Sequence, residues 1–125
     1  MKMVPEHVGI YAKDVEVMKD WYCNVLGLKV IRKLEKPGRP PIYFLASDEG
    51  GLVIEILPTT AERKERDLMD PGYSHIALEI DNFDEVESYL KSKGVELFGV
   101  RMTSAGWKIG YFKDPEGNIL EIVQR

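Results

Sequence analysis

Two histidines and two glutamates stand at repeat-equivalent places in this chain, and together they offer the donor set of a divalent-metal site. His7 opens the run His7-Val8-Gly9-Ile10, and His75 opens His75-Ile76-Ala77-Leu78, 68 positions later. Glu55 lies inside Val53-Ile54-Glu55-Ile56-Leu57, and Glu121 inside Ile119-Leu120-Glu121-Ile122-Val123, 66 positions later. The chain has only 2 histidines, so both fall on the repeat. A carboxylate in the middle of an apolar strand is costly to bury unless something satisfies it. A cation does so, and a neighbouring imidazole supplies a second donor. Two imidazoles and two carboxylates leave positions on a six-coordinate ion for water or a chelating substrate. Such O/N donors suit Ni, Co, Zn, Mn or Fe without choosing among them. The local Cys and His spacing of a zinc finger is missing.

The elements that must position these residues also come twice. Residues 7–12 alternate and read as a strand, with Val8, Ile10 and Ala12 on one face and His7, Gly9 and Tyr11 on the other. A helix follows from Asp14, an N-cap type, and stops at Gly27. Its apolar positions Val15, Met18, Tyr22, Val25 and Leu26 keep helical spacing. Strands are expected at Leu28–Leu34, Ile42–Ala46 and Leu52–Leu57. The second copy reads the same way. A strand at His75–Ile80 leads to a helix capped by Asn82 and stopped near Gly94. Strands follow at Val95–Phe98, Trp107–Lys113 and Asn118–Val123, the last two joined by the turn Asp114-Pro115-Glu116-Gly117. The expected fold is therefore α+β, a single domain over 1–125 built from two βαβββ modules at 1–57 and 72–125. Residues 58–71 join them, and Ala61–Met69 can form a short helix there. A connection of this length suits exchange of modules between chains as well as folding within one.

Composition narrows the function classes. With 125 residues, 44% of them hydrophobic, the chain is long enough to bury a core. Its net charge of −4 gives no basic field to attract nucleic acid or an anionic membrane surface. No apolar run is long enough to span a bilayer, and the residues before His7 lack the apolar core of a signal peptide. The single cysteine, Cys23, cannot form an internal disulfide, and it reads as a structural thiol within the first helix. A cytoplasmic location is expected.

The motifs Trp21-Tyr22 leading to Leu26-Gly27-Leu28, Tyr73-Ser74-His75-Ile76-Ala77-Leu78, and Tyr111-Phe112-Lys113-Asp114-Pro115-Glu116-Gly117-Asn118 running into Leu120-Glu121 carry a resemblance. With His7-Val8-Gly9-Ile10 they make the chain similar to the vicinal oxygen chelate superfamily, which unites glyoxalases, bleomycin-resistance proteins and dioxygenases. The resemblance implies that paired βαβββ modules curl into an incomplete barrel around a metal. It assigns ligand roles to His7, Glu55, His75 and Glu121. A full His-Glu-His-Glu set is most similar to glyoxalase I. Extradiol dioxygenases and fosfomycin-inactivating transferases generally use two His and one Glu. Glyoxalase I isomerises the hemithioacetal of a 2-oxoaldehyde: the metal holds an enediolate and a ligand-sphere glutamate moves the proton. Glutathione-using members usually carry an Arg four residues after the first ligand His, where Tyr11 stands here. They commonly carry an Asn five residues after the first ligand Glu, where Pro58-Thr59-Thr60 follows. The glutathione-anchoring pattern is largely missing.

The expected activity is thus that of a metal-dependent lyase or isomerase, acting by proton transfer alpha to a carbonyl on a small molecule other than a glutathione adduct. Glu121 is the preferred base and Glu55 the second. Tyr11 and Glu79 share faces with His7 and His75. Tyr43, Trp107 and Tyr111 are candidates to line the cup, while Lys108 and Arg101 read as solvated. The alternatives are an Fe(II) extradiol-type dioxygenase and a non-catalytic, drug-sequestering resistance protein. Open sheet edges point to a homodimer, with the metal donors drawn from one chain or from two.

Overall fold

Alternating residues build the first strand, β1 (His7–Ala12), and Asp14 ends it by capping α1 (Val15–Leu26). The Asp14 carboxylate accepts a hydrogen bond from the Val17 amide at 3.0 Å. Gly27 closes the helix at φ 72°, where a left-handed conformation costs glycine little. Its amide donates to the Cys23 carbonyl and that of Leu28 to the Tyr22 carbonyl, which satisfies the last turn. Three strands follow: β2 (Lys29–Leu34), β3 (Ile42–Ser47) and β4 (Gly50–Pro58). The second copy runs β5 (His75–Glu79), α2 (Phe83–Ser92), β6 (Phe98–Met102), β7 (Lys108–Lys113) and β8 (Ile119–Gln124). This computed structural model describes residues 1–125.

The expected α+β architecture of two βαβββ modules is what the chain adopts. Each module is one four-stranded mixed sheet, ordered β1-β4-β3-β2 in the first and β5-β8-β7-β6 in the second. The long crossover through a helix makes β1 parallel to β4 and β5 parallel to β8, while the hairpins stay antiparallel. Neither sheet closes on itself. The chain divides into two compact units, Met1–Arg63 and Lys64–Arg125.

In each module the helix covers one sheet face. Tyr22 and Met18 of α1 are fully buried, as are Ala12, Leu45 and Ile56 of the strands. Phe83 and Leu90 of α2 are buried, as are Phe112, Leu120 and Ile122. Gly110 leaves room for the Phe83 ring, since a Cβ there would stand 3.2 Å from Phe83 Cζ. The histidines and glutamates therefore fall on the other face, here termed the donor face.

Two local expectations are corrected. The strand placed at Val95–Phe98 begins only at Phe98. Val95 finishes the helix instead: its amide donates to the Leu90 carbonyl at 2.9 Å, so it is unavailable to a sheet. Ala61–Met69 forms no helix. Its donors go to side chains, with the Ala61 amide on Thr59 Oγ1 and the Asp67 amide on Asp70 Oδ2.

The β7–β8 connection fixes the register of the second module. Asp114, 5% exposed, accepts from the Glu116 amide at 2.9 Å, from the Asn118 amide at 3.0 Å and from Asn118 Nδ2 at 2.8 Å. Asn118 is thereby held in the turn, and Lys113 pairs with Ile119. Asp114→Ala would strand these donors at a mostly buried site. We expect it to lower the unfolding free energy by about 2–3 kcal/mol, read as a reduced urea midpoint.

Candidate functional site

Strand register brings each histidine beside its glutamate. In the first module Gly9 pairs with Glu55 and Phe44 with Glu55 across the sheet, so His7, Glu55 and Phe44 share the donor face. His7 Nε2 stands 3.5 Å from Glu55 Oε1. In the second module Ala77 and Tyr111 pair with Glu121, and His75 Nε2 stands 3.8 Å from Glu121 Oε2. Aromatic edges hold both imidazoles: Phe44 meets His7 at 5.9 Å between centroids, and Tyr111 meets His75 at 5.4 Å.

The glutamates are the unusual members. Their side chains are 16% and 12% exposed, and each has the facing imidazole as its ion-pair partner. The second pair has a further constraint. Ser74 Oγ donates its one proton to the Leu68 carbonyl at 2.8 Å. At 2.9 Å from His75 Nδ1 it can then only accept, so the ring proton resides on Nδ1. In the Nδ1-protonated tautomer the Nε2 lone pair faces the Glu121 carboxylate. Two electron-rich groups so placed call for a cation or a proton between them.

Their spacing fits a metal. Donors bound to one ion at about 2.1 Å stand roughly 3.0 Å apart at octahedral and about 3.4 Å apart at tetrahedral angles. The first pair matches the wider value and the second slightly exceeds it. The donors come as two pairs, and no group of three or more His, Cys, Asp and Glu side chains is gathered in this structure.

The other anticipated residues divide. Tyr111 lies on the donor face beside Glu121, packed with Ile109, Val123 and, from the connecting segment, Leu68. Tyr11 is on the donor face and 65% exposed. Glu79 and Trp107 are engaged by Arg125, whose guanidinium reaches Glu79 Oε2 at 3.2 Å and stacks 4.7 Å from the Trp107 ring. Tyr43, expected to line the cup, turns to the helix face. It pairs with Ile56 rather than Glu55, and its hydroxyl donates to Glu16 of α1 at 2.7 Å. Phe44 occupies the corresponding donor-face position. Ser74, Leu68 and Phe44 escaped sequence reasoning. The repeat gave a signal only for Phe44, which matches Tyr111.

Residues 5–122 match the Glyoxalase/Bleomycin resistance protein/Dioxygenase superfamily. The chain belongs to this superfamily. It is 28% identical over 123 residues to a lactoylglutathione lyase of Neisseria meningitidis, covering 95% of this chain and 88% of that one. It is 32% identical over 120 residues to biphenyl-2,3-diol 1,2-dioxygenase 2 of Rhodococcus globerulus, covering 93% of this chain and 60% of the relative. A glyoxalase family protein from Enterococcus faecalis superposes with a TM-score of 0.81 at 26% identity, over 98% of this chain and 97% of that one. No helix of this superfamily member is long and apolar enough to cross a membrane.

A hollow of about 320 Å³ lies away from the histidines. It opens beside the N-terminus of α2 on the helix face, where Asn82 and Gln124 already accept the Glu85 and Phe83 amides. Cys23 also lies apart, on α1. Burial raises its thiol pKa, Lys19 lowers it and Asp20 raises it further. A raised pKa leaves less thiolate at neutral pH. Iodoacetamide should therefore alkylate Cys23 more slowly than free cysteine at pH 7.5, with the rate rising only in more alkaline buffer.

Proposed function

We propose that this superfamily member is a divalent-metal-dependent lyase or isomerase of the glyoxalase type, moving a proton alpha to a carbonyl. The observation that carries the reading is the Ser74–His75–Glu121 arrangement, in which a fixed tautomer aims a lone pair at a half-buried carboxylate. His75 and Glu121, with His7 and Glu55, would hold the ion. Bound there, a dication supplies Lewis acidity to the oxygens of a chelating substrate. The chain's own groups do the rest. Glu121 takes the proton from the carbon beside the carbonyl and returns it to the neighbouring carbon, with Glu55 as second choice for that role. Tyr111 and Phe44 orient the imidazoles by edge contact. The relatives named as lactoylglutathione lyases support this chemistry. Tyr11, in place of the expected arginine, argues for a substrate other than a glutathione adduct. We further propose a homodimer, because β1, β2, β5 and β6 leave sheet edges open.

Calorimetric titration with Ni(II), Co(II) or Zn(II) tests the metal. Saturable binding should vanish in His75→Ala. In Ser74→Ala it should weaken about 10-fold or more as the ring loses its orienting partner. Wild-type protein that binds none of these ions would end the reading.

Activity assays separate the substrate classes. The glutathione–methylglyoxal hemithioacetal should be turned over slowly or not at all, and turnover at the rate of a dedicated glyoxalase would restore the glutathione assignment. Oxygen uptake on catechols with Fe(II) would favour the dioxygenase relative's chemistry instead. On the true substrate, Glu121→Gln should lose turnover while retaining measurable metal binding, and an active Glu121→Gln would remove Glu121 as the base.

A further inference from the structure

The turn between β2 and β3 carries two cations, Lys36 and Arg39, that no carboxylate answers. Every ion pair of the first module lies elsewhere. Lys13 pairs with Glu62, Lys19 with Glu16 and Asp20, Lys29 with Asp48, and Lys33 with Glu35. Glu35, the acid nearest in sequence, is spent on Lys33, which lies over the Tyr43 ring on the helix face. In a chain of net charge −4, two unpaired cations on one short turn form a local positive field. The turn is shaped for it: Gly38 at φ 73° lets the Arg39 amide donate back to the Lys36 carbonyl at 3.3 Å.

Both cations line a hollow of about 160 Å³ on the donor face. Its floor is apolar. Leu34 pairs with Ile42, and Leu57 pairs with Tyr11, so all four side chains share the face of His7 and Glu55. Tyr11 stands at the rim with no hydrogen-bonding partner for its hydroxyl. An apolar floor, two free cations and a hydroxyl make the complement of an anion with a short apolar body. At roughly 30 Å³ per water, the hollow has room for a carboxylate and a small hydrocarbon group but not for a tripeptide. Tyr11 and Leu57 lie two residues beyond Gly9 and Glu55, or about 7 Å along the strands.

We propose that this hollow binds the anionic head of a small organic acid, with Lys36 and Arg39 as its cations and Tyr11 as a hydroxyl donor. The inference deepens the functional reading above and rests on it in one respect: the donor face is taken as the substrate face. The substrate is then a compact monoacid whose charged end sits at the β2–β3 turn while its body runs over the apolar floor toward the His7–Glu55 pair. A phosphate offers the same charge, and the test tells the two sources apart.

Amide NMR of the full chain, kept in chelator throughout, provides the experiment. Benzoate, benzamide and inorganic phosphate are the probes. Benzoate should saturate, with shifts at Tyr11, Arg39, Ile42 and Leu57, and its affinity should fall as salt is raised. Benzamide should not. Phosphate binding tighter than benzoate would overturn the organic-acid assignment. Lys36→Gln with Arg39→Gln should cut benzoate affinity about 10-fold or more, while unperturbed amide positions elsewhere confirm the fold. Equal binding of benzamide, shifts elsewhere only, or an indifferent double variant would each overturn the proposal. Because metal is absent from every arm, a failure here leaves the metal reading standing, and a failure to bind metal leaves this result standing.

Discussion

A half-buried carboxylate facing an imidazole on an apolar sheet is the constraint around which each module is arranged. Glu55 and Glu121 are mostly withdrawn from water, and neither is given a hydrogen-bond donor in exchange. In an ordinary core this would be a costly defect. The surrounding structure tolerates it because most of the buried core lies on the opposite face. There α1 and α2 bury Met18, Tyr22, Phe83 and Leu90 against the sheets. The donor face is thus free to carry groups chosen for chemistry. Caps at Asp14 and Asn82 matter for the same reason, since they fix where each helix begins and so which face it covers.

The two copies share this plan but differ in what lies over the donor face. In the second module the connecting segment folds back, and Leu68 packs on Ile109, Tyr111 and Val123. Arg66 holds that segment by donating to the carbonyls of Asp70, Pro71 and Tyr73. The same fold-back supplies the Leu68 carbonyl that directs Ser74, and through it the tautomer of His75. In the first module no such segment intervenes. His7 has only Glu6, at 3.5 Å from Nδ1, on its far side, and its side chain is 41% exposed. A covered, tautomer-fixed pair is better suited to proton transfer. An open pair beside a hollow is better suited to recognition. On that physical ground the proposed role of base falls to Glu121 rather than Glu55.

Much of this was legible in the sequence, for a definite reason. Strand periodicity is two, so placing one histidine and one glutamate on the donor face places their neighbours as well. The repeat then supplied the pairing without any knowledge of register. Cross-strand neighbours were harder. The sequence ends the turn at Gly117 and names Tyr111 for the cup by residue type alone; a turn of those four residues only would pair Lys113 with Asn118 and carry Tyr111 to the helix face. Asp114 draws Asn118 into the turn as well, and one added residue reverses the face of everything in β7. A bulge between Phe98 and Arg101 shifts β6 again, which keeps Phe98 against Tyr111. Tyr43 shows the cost of choosing aromatics by type. Parity across the β3–β4 hairpin gives the donor face to Phe44 and leaves Tyr43 to hydrogen-bond α1. The fold-back of Leu68 had no sequence signal, because its donors are satisfied by side chains in no regular pattern.

The cations of the first module complete the argument about specificity. An arginine at the position of Tyr11 would rise from the sheet itself, one strand repeat beyond the donor pair, and would hold its guanidinium over the sheet. Here the sheet position is given to an aromatic ring, and the charge moves sideways to the β2–β3 turn. The consequence would be geometric. An anion held as proposed by Lys36 and Arg39 would lie at the β2–β3 end of the donor face with Tyr11 at its rim, and the Leu34–Ile42–Leu57 floor would pass beneath whatever joins it to the donor pair. A long, polar peptide gains little from such a floor, whereas a short apolar spacer is desolvated along its length. On the proposal above, Tyr11 on β1 and the two cations of one turn would together favour a compact acid over an extended polar conjugate.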